Sequence, residues 1–105
     1  MSVQLSVEDL FAQVAVWDFG YLLTGGDGRP HLIALRPSVI DGALRFDAGG
    51  GRACTNAVAR PEVSVVFPPH AGSEGFSLVV DGDATVHGDY VDVHPTRVLL
   101  HRPAP

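Results

Sequence analysis

The stretch LRFDAGGGRACTNAVARPEVSVVF, residues 44–67, decides the fold prediction, because the residue periodicity changes twice within it. It begins with the alternation of a strand, crosses three consecutive glycines, and continues as a short helical pattern around residues 52–59, which Pro61 ends. A second strand pattern follows at residues 62–67. Glycines lose much conformational entropy on folding, so the loop indicates a close approach by a ligand or by a neighbouring chain segment.

Outside this stretch, the sequence has one further helical pattern and several short strand patterns. Ser6 and Asp9 have the spacing of a helix start, and apolar residues recur at helical spacing, which predicts a helix over residues 7–14. The remaining apolar or alternating runs predict strands at residues 19–24, 31–35, 76–87 and 90–101.

Turn and bend residues separate these strands. Asp41-Gly42 predicts a two-residue hairpin turn, Gly82 a bulge or bend, and Pro95 an interruption of the last strand. The strand at residues 31–35, HLIAL, is apolar at nearly every position, as in strands covered on both faces. Six short strands with one N-terminal helix and one short internal helix predict a mainly β fold, a small antiparallel barrel.

The composition limits the possible partners. The chain has 105 residues, enough for a single domain over residues 1–105, and 46% of them are apolar. A net charge of −5, with seven arginines and no lysine, argues against nucleic acids and anionic membranes as partners. The single cysteine, Cys54, excludes an intramolecular disulfide. No signal peptide or membrane-length apolar run is recognisable, so we expect a soluble, cytoplasmic protein.

The glycine loop matches neither of the two common nucleotide-binding motifs. Cys54 stands where the third glycine of a dinucleotide fingerprint would be, and no G-K-[ST] follows as in a P-loop. What remains is a flexible loop, Arg52 and the start of a helix, whose free N–H groups and positive end attract phosphate. A plain connector between strand and helix is the alternative interpretation.

Other catalytic patterns have weaker support. Cys54 and Arg60 have the C-x5-R spacing of thiolate phosphatases, but no glycine lies between them and Pro61 replaces the usual hydroxyl residue. A thiol packed as a small apolar group is the simpler interpretation. The five histidines form no H-x-H or H-E-x-x-H pattern, so no metal site is predicted, and no catalytic residue is identified.

From residue 27 to residue 67 the sequence resembles the pyridoxamine 5′-phosphate oxidase-like flavin-binding split barrels, which include flavin- and F420-dependent reductases. The shared pattern is D-G-x-P, an apolar strand, a D/N-G turn, an aromatic strand, a glycine loop with a basic residue, a short helix, and P-x-V-[SA]-h-h-F. Residues 76–89 resemble the family's next strand, and residues 93–103 resemble its closing strand. The resemblance implies a six-stranded antiparallel split β-barrel that forms a homodimer.

The resemblance also implies a cofactor site for FMN or F420. The strand at residues 31–35 would lie along the flavin ring, Phe46 and Asp47 near the ribityl-phosphate end, and Arg52 at the phosphate. The cofactor-binding residues implied in this way are His31, Leu32, Ile33, Ala34, Leu35, Phe46, Asp47, Gly50, Gly51, Arg52 and Thr55.

Three positions depart from the family pattern and leave two functions open. Ala53 occupies a second basic position, Asp47 replaces a hydroxyl residue, and Gly51 replaces a serine or threonine; the first two changes weaken phosphate binding. One function is a dimeric FMN- or F420-dependent oxidoreductase that transfers a hydride to an organic substrate. The other is a split-barrel binding or structural module without redox activity. Haem, which some split barrels bind, is a further cofactor to consider.

Overall fold

A computed structural model describes residues 1–105 as eight β-strands, two α-helices and one short 3-10 helix. The strands form one antiparallel sheet that curls into a half barrel. In chain order the elements are β1 (Ser2–Leu5), α1 (Val7–Gln13), the 3-10 helix (Val14–Trp17), β2 (Gly20–Thr24), β3 (His31–Leu35), β4 (Ser38–Ile40), β5 (Ala43–Asp47), α2 (Gly51–Ala59), β6 (Glu62–Phe67), β7 (Ser77–His87) and β8 (Tyr90–His101).

The order of strands across the sheet explains why the barrel is split. The order is β3-β2-β6-β7-β8-β5-β4, and β1 pairs with the second half of β8. The two edge strands, β3 and β4, are neighbours in sequence and are joined only by Arg36 and Pro37. The barrel is therefore completed at this point by the covalent chain and not by a β-ladder.

The prediction of six strands was wrong in number, although the antiparallel barrel was correct. The strand β1 was missed because four residues with no preceding turn give a weak pattern. The strand β4 is the three-residue first arm of the predicted Asp41-Gly42 hairpin, and it was too short to count as a separate strand.

The strand β8 is continuous, so the predicted interruption at Pro95 was wrong. Proline lacks an N–H donor, and a sheet tolerates it best at a bulge. Gly82 of β7 pairs with Pro95, and the register shifts there because Asp81 pairs with Arg97, which leaves Thr96 unpaired. The predicted bulge at Gly82 is thus confirmed, and it is this bulge that accommodates the proline.

The core fills the concave side of the sheet. The alternation in β7 has the predicted phase, because Leu78 and Val80 are fully buried, whereas Ser77, Val79 and Asp81 are only half-buried. The largest fully buried apolar side chains are Phe46, Phe67, Leu10, Leu22, Leu44 and Leu78. Apolar residues of α2 pack against one end of this core, and Val14 and Trp17 of the 3-10 helix pack into the same cluster.

Both predicted helices are present. Ser6 and Asp9 form a capping box at the start of α1, since each side chain accepts a hydrogen bond from the other residue's backbone N–H. The helix ends at Gln13, one residue earlier than predicted, where the chain tightens into the 3-10 turn. No helix has both the length and the apolar character needed to cross a membrane.

The strand β3 is covered on only one face within a single copy of the chain, and cover on its other face stays a prediction that depends on the homodimer. It is an edge strand of the sheet, and its outward residues Leu32 and Ala34 are exposed, Leu32 by 57%. Its inward residues His31, Ile33 and Leu35 are half-buried. Within one copy of the chain, therefore, an apolar strand face lies open.

Candidate cofactor site

The glycine loop lies between the end of β5 and the start of α2, and it is open to approach. Gly49, Gly50 and Gly51 all have positive φ angles, of 64°, 75° and 64°, a region that other residues rarely adopt. A Cβ atom added at Gly49 or Gly51 would meet no atom within 4 Å. No side chain caps the start of α2. The positive end of the helix is thus accessible to a ligand.

Two carboxylates lie at the same loop. The Asp47 Oδ1 atom accepts a hydrogen bond from the Gly49 N–H at 3.1 Å. A Cβ atom added at Gly50 would lie 3.0 Å from the Asp89 Oδ1 atom, so this second carboxylate lies beside the loop backbone. Negative charge at this distance opposes the binding of an anion and partly offsets the attraction of the helix start.

Arg52 is the cation at the site, and it is oriented by a backbone contact. Its Nη2 atom donates to the Arg29 carbonyl oxygen at 3.1 Å, and the side chain is otherwise exposed. A guanidinium has five N–H donors, so this contact leaves most of them free for a ligand. Sequence reasoning missed Arg29, because the two residues are 23 positions apart and no local pattern connects them.

Cys54 is a packed thiol and not a candidate nucleophile. Its side chain is 7% exposed, and its sulfur lies 3.6 Å from the Asp89 carbonyl oxygen. Burial raises the pKa of the Cys54 thiol, and the nearby Asp89 carboxylate raises it further. Arg60, the other member of the phosphatase-like spacing, follows the opposite end of α2.

The strand β3 contributes one unpaired polar atom. The Nδ1 atom of His31 is buried and has no hydrogen-bond partner within the chain. Buried nitrogen atoms are usually paired, so an exception calls for an explanation, such as a ligand. Ile33 and Leu35 pack against the core from the same face, whereas Leu32 and Ala34 face outward.

The structure places most of the predicted site residues at one end of the barrel. Asp47, Gly50, Gly51 and Arg52 lie together at the loop, and β3 packs beside α2. The Thr55 hydroxyl donates to the Gly51 carbonyl oxygen at 3.1 Å, one turn back in the helix.

Phe46 stands apart from these residues. It is fully buried in the core, so its side chain has no surface to offer a ligand. A contact between Phe46 and the ribityl-phosphate end of the cofactor, as the resemblance implies, would therefore be made by its backbone.

The convex side of the sheet is divided into a polar and an apolar half. On the polar half, the Arg45 guanidinium binds Asp92 through two hydrogen bonds of 2.8 and 2.9 Å. These hydrogen bonds lower the pKa of the Asp92 carboxyl, although its burial acts in the opposite direction. His87 lies 3.7 Å from the same carboxylate. This ion-pair network was not predicted, because its members lie on three different strands.

The apolar half covers β3 and β2 and continues in one row over β6 and β7. This row consists of the paired residues Ala34, Tyr21, Val66 and Val79. In the adjacent row Leu32 pairs with Leu23, and the row becomes polar at Ser64 and Asp81. We call the six apolar residues of these two rows the apolar outer face. Leu32 and Leu23 are 57% and 37% exposed, although both are large apolar side chains. Contiguous exposed apolar surface of this kind is typical of an interaction site.

Comparison with known proteins identifies relatives in mycobacteria. No family model matches the chain. The chain is 36% identical to the uncharacterized protein Mb0449c of Mycobacterium bovis, and the match covers 96% of this chain and 82% of the relative. The uncharacterized protein MT0457 of Mycobacterium tuberculosis matches with the same identity and coverage.

Several solved structures share the fold. A FAD-binding protein from Mesorhizobium loti matches with a TM-score of 0.73 and 19% identity, over 95% of this chain and 96% of that chain. The FAD binding protein from Mycobacterium smegmatis matches with a TM-score of 0.71 and 22% identity, over the same shares. An F420 reductase matches with a TM-score of 0.62 and 19% identity, over 76% of this chain and 87% of that chain.

The fold comparison agrees with the resemblance found in residues 27–67. The chain therefore belongs to the same family as the two mycobacterial proteins, and it shares the split-barrel fold of the FAD-binding proteins and the F420 reductase.

Proposed function

We propose that the protein is a small homodimeric oxidoreductase that binds a flavin or F420. The observation that carries the proposal is the open glycine loop at the uncapped start of α2, with Arg52 beside it. The FAD-binding proteins and the F420 reductase that share the fold support this class of cofactor. In such a protein the cofactor carries the hydride, and the protein positions it and excludes water.

The residues at the loop can bind the anionic tail of a cofactor, but nearby carboxylates lower the affinity. Arg52 and the start of α2 attract phosphate, whereas Asp47 and Asp89 repel it. Ala53, at the family's second basic position, is 2% exposed and packs in the core, so no cation is available there. We therefore expect binding that depends on a single guanidinium and weakens as salt concentration rises.

The exposed face of β3 fits the ring of the cofactor. Leu32 and Ala34 present apolar surface, and the outer edge of β3 has backbone groups that no neighbouring strand uses. Leu32, Ala34 and the free backbone groups of β3 would hold and orient a flat ring, and no residue of the site has to act as a general acid or base. The unpaired His31 Nδ1 atom lies on the opposite face of the strand and does not contact this ring.

A second copy of the chain would cover the apolar outer face. This face and the β3 edge are continuous, so a two-fold contact would bury both and enclose a ring lying on β3. The dimer is thus a part of the proposed site, since it supplies the exclusion of water that one copy lacks.

The contribution of Arg52 can be tested by titrating the protein with FMN and with riboflavin, which lacks the phosphate. We expect Arg52→Ala to weaken FMN binding about 10- to 100-fold, the loss of one charge-assisted contact, and to leave riboflavin binding unchanged.

Asp47→Asn should strengthen FMN binding, because it removes a negative charge but keeps the acceptor for the Gly49 N–H. Isothermal titration calorimetry measures the affinities of both variants.

Arg97→Ala is the matched control, because Arg97 lies on β8 and pairs with Asp81 at 3.5 Å, away from the loop. An equal loss of FMN and riboflavin binding in Arg52→Ala would show that Arg52 is structural. FAD and F420 should be titrated in parallel with the wild-type protein. If FMN, FAD and F420 all fail to bind saturably below millimolar concentration, the proposed function is wrong.

The dimer can be tested by placing a charge on the apolar outer face. We expect Leu32→Asp to convert a wild-type dimer to monomer, because a buried unpaired carboxylate costs several kcal/mol. Sedimentation velocity measures the change. Val39→Asp is the control, since Val39 lies on the other edge strand, β4, and is 47% exposed. A wild-type protein that stays monomeric at every concentration would contradict the dimer.

A binding module without redox activity is the second candidate function. The two carboxylates at the loop and the buried Ala53 favour it, because they weaken the phosphate site. The two candidates differ in turnover, and not in binding. Reduction of an electron acceptor by the purified protein with its cofactor and an electron donor would exclude the second one.

A further inference from the structure

A cavity of about 320 Å³ opens at the end of the barrel opposite to α2. This end is marked by the paired residues Phe67, Leu78 and Leu100, whereas α2 packs beside Thr24 and the β7–β8 turn at the other end. The mouths of β-barrels are frequent places for small-molecule sites, and this volume lies at the lower end of their usual range. The cavity is thus separate from the candidate cofactor site.

Two aromatic residues, a valine and a leucine form the apolar walls of the cavity. Val16 and Trp17 come from the 3-10 helix, Phe76 from the segment before β7, and Leu100 from the end of β8. Trp17 is 5% exposed and belongs to the core cluster, so its position is fixed by packing and only a small part of its surface is left for a ligand. Phe76 is half-buried and offers more aromatic surface, and a rigid wall of this kind favours a flat ligand that packs against it at little entropic cost.

His70 provides a hydrogen-bond donor in this apolar surrounding. Its Nδ1 atom accepts the Gly72 N–H at 3.1 Å, so the proton of the neutral ring is on Nε2. The ring is edge-on to Trp17, with centroids 4.6 Å apart. The Ser73 hydroxyl, which donates to the His70 carbonyl oxygen at 2.9 Å, holds the loop in place. The Nε2–H group has no partner in the chain and is the one left to bind a ligand.

Charges of both signs lie near the rim of the cavity. Glu74 is one of its lining residues, and the chain as a whole carries a net charge of −5. The Arg102 guanidinium stacks over Phe76 at 4.3 Å and donates to the Glu74 carbonyl oxygen at 2.9 Å, so it brings a positive charge to the same place. A positively charged ligand would in turn lie close to this guanidinium. A neutral ligand fits both charges best.

We propose that this cavity binds a neutral, flat molecule of one or two rings that carries a hydrogen-bond acceptor for His70. The ring lies against Trp17 and Phe76, and the acceptor, a carbonyl oxygen or a ring nitrogen, pairs with the Nε2–H group. The site does not depend on the proposed cofactor, since it shares no residue with the glycine loop or with β3. It gives the protein a second small-molecule site.

Trp17 is the only tryptophan, so its indole N–H gives a single indole resonance in a nitrogen–proton NMR spectrum. We titrate the full chain with acetophenone, a one-ring ketone, and with ethylbenzene, which has nearly the same shape but no acceptor. We expect acetophenone to shift the indole resonance saturably at millimolar concentration. Ethylbenzene should bind about tenfold more weakly, the equivalent of one hydrogen bond.

We expect the His70→Phe variant to bind acetophenone and ethylbenzene with about equal affinity. The His94→Phe variant should keep the tenfold preference for acetophenone, because His94 pairs with Thr85 on the convex face. The comparison of the two compounds on the wild-type protein needs no variant, so it holds even if His70→Phe destabilises the loop. Equal affinities for the two compounds would overturn the role of His70. A shift that does not saturate, or no shift at all, would overturn the site itself.

Discussion

Replacing Phe46 by alanine is expected to lower the free energy of unfolding by about 3–5 kcal/mol. The side chain is fully buried in β5, next to the paired residue Val91 of β8, so truncation leaves a cavity that the sheet on one side prevents from collapsing. A domain of this length has roughly 5–15 kcal/mol of stability in total. The substitution therefore removes a large share of it.

Urea denaturation followed by circular dichroism measures this loss. Val58→Ala is the control, because Val58 is 70% exposed on α2 and its truncation should change stability by no more than about 0.5 kcal/mol. The Phe46→Leu variant keeps most of the apolar volume, so it distinguishes an effect on core packing from the loss of a contact with the cofactor. If Phe46→Leu remains stable yet loses cofactor affinity, then Phe46 touches the ligand and its burial in the core is not its main role.

Replacing Gly82 by valine should destabilise the protein by about 3 kcal/mol, the upper part of the range for overpacking. A Cβ atom at this position would lie 2.6 Å from the His94 carbonyl oxygen and 2.8 Å from the Val93 Cγ1 atom. The carbonyl belongs to the backbone of β8, which pairs with β7 along its whole length and cannot move alone. Relief of the clash would require the two longest strands to separate.

The melting temperature of the Gly82→Val variant checks this expectation, and a fall of roughly 12–24 °C corresponds to about 3 kcal/mol in a domain of this size. Gly28→Val is the matched control. A Cβ atom at Gly28 would meet nothing within 4 Å, so the same substitution there should be neutral or slightly stabilising. A normal melting temperature for Gly82→Val would mean that the bulge between β7 and β8 rearranges freely.

The parts of the fold that were predicted correctly depend on local patterns. The capping box at Ser6, the hairpin turn at Asp41-Gly42 and the alternation in β7 each involve residues close together in sequence. The parts that were missed depend on distant partners. Pro95 fits within a strand only because Gly82 lies opposite it, and the edge position of β3 follows from the order of all the strands.

The residues of the candidate site also divide into those predicted from local sequence and those that depend on distant partners. The glycine loop and Arg52 were found because they are adjacent in sequence. Arg29, which orients Arg52, and Asp89, which lies beside Gly50, come from other turns of the chain. Their effect on the charge of the loop could not be foreseen from the loop sequence, and in the proposed site this charge would decide how strongly a phosphate binds.

The two-residue link between β3 and β4 has a mechanical consequence. Elsewhere around the barrel, separating two neighbouring strands would break a row of backbone hydrogen bonds, whereas at this seam no β-ladder joins β3 and β4 and the link of Arg36 and Pro37 sets the gap. Proline fixes one backbone torsion of this link and restricts the residue before it, so the link is stiff. The Arg36 side chain is also bound to Asp18 by a hydrogen bond of 2.8 Å. The link therefore limits how far β3 and β4 can move apart, although no backbone hydrogen bond between them would have to break.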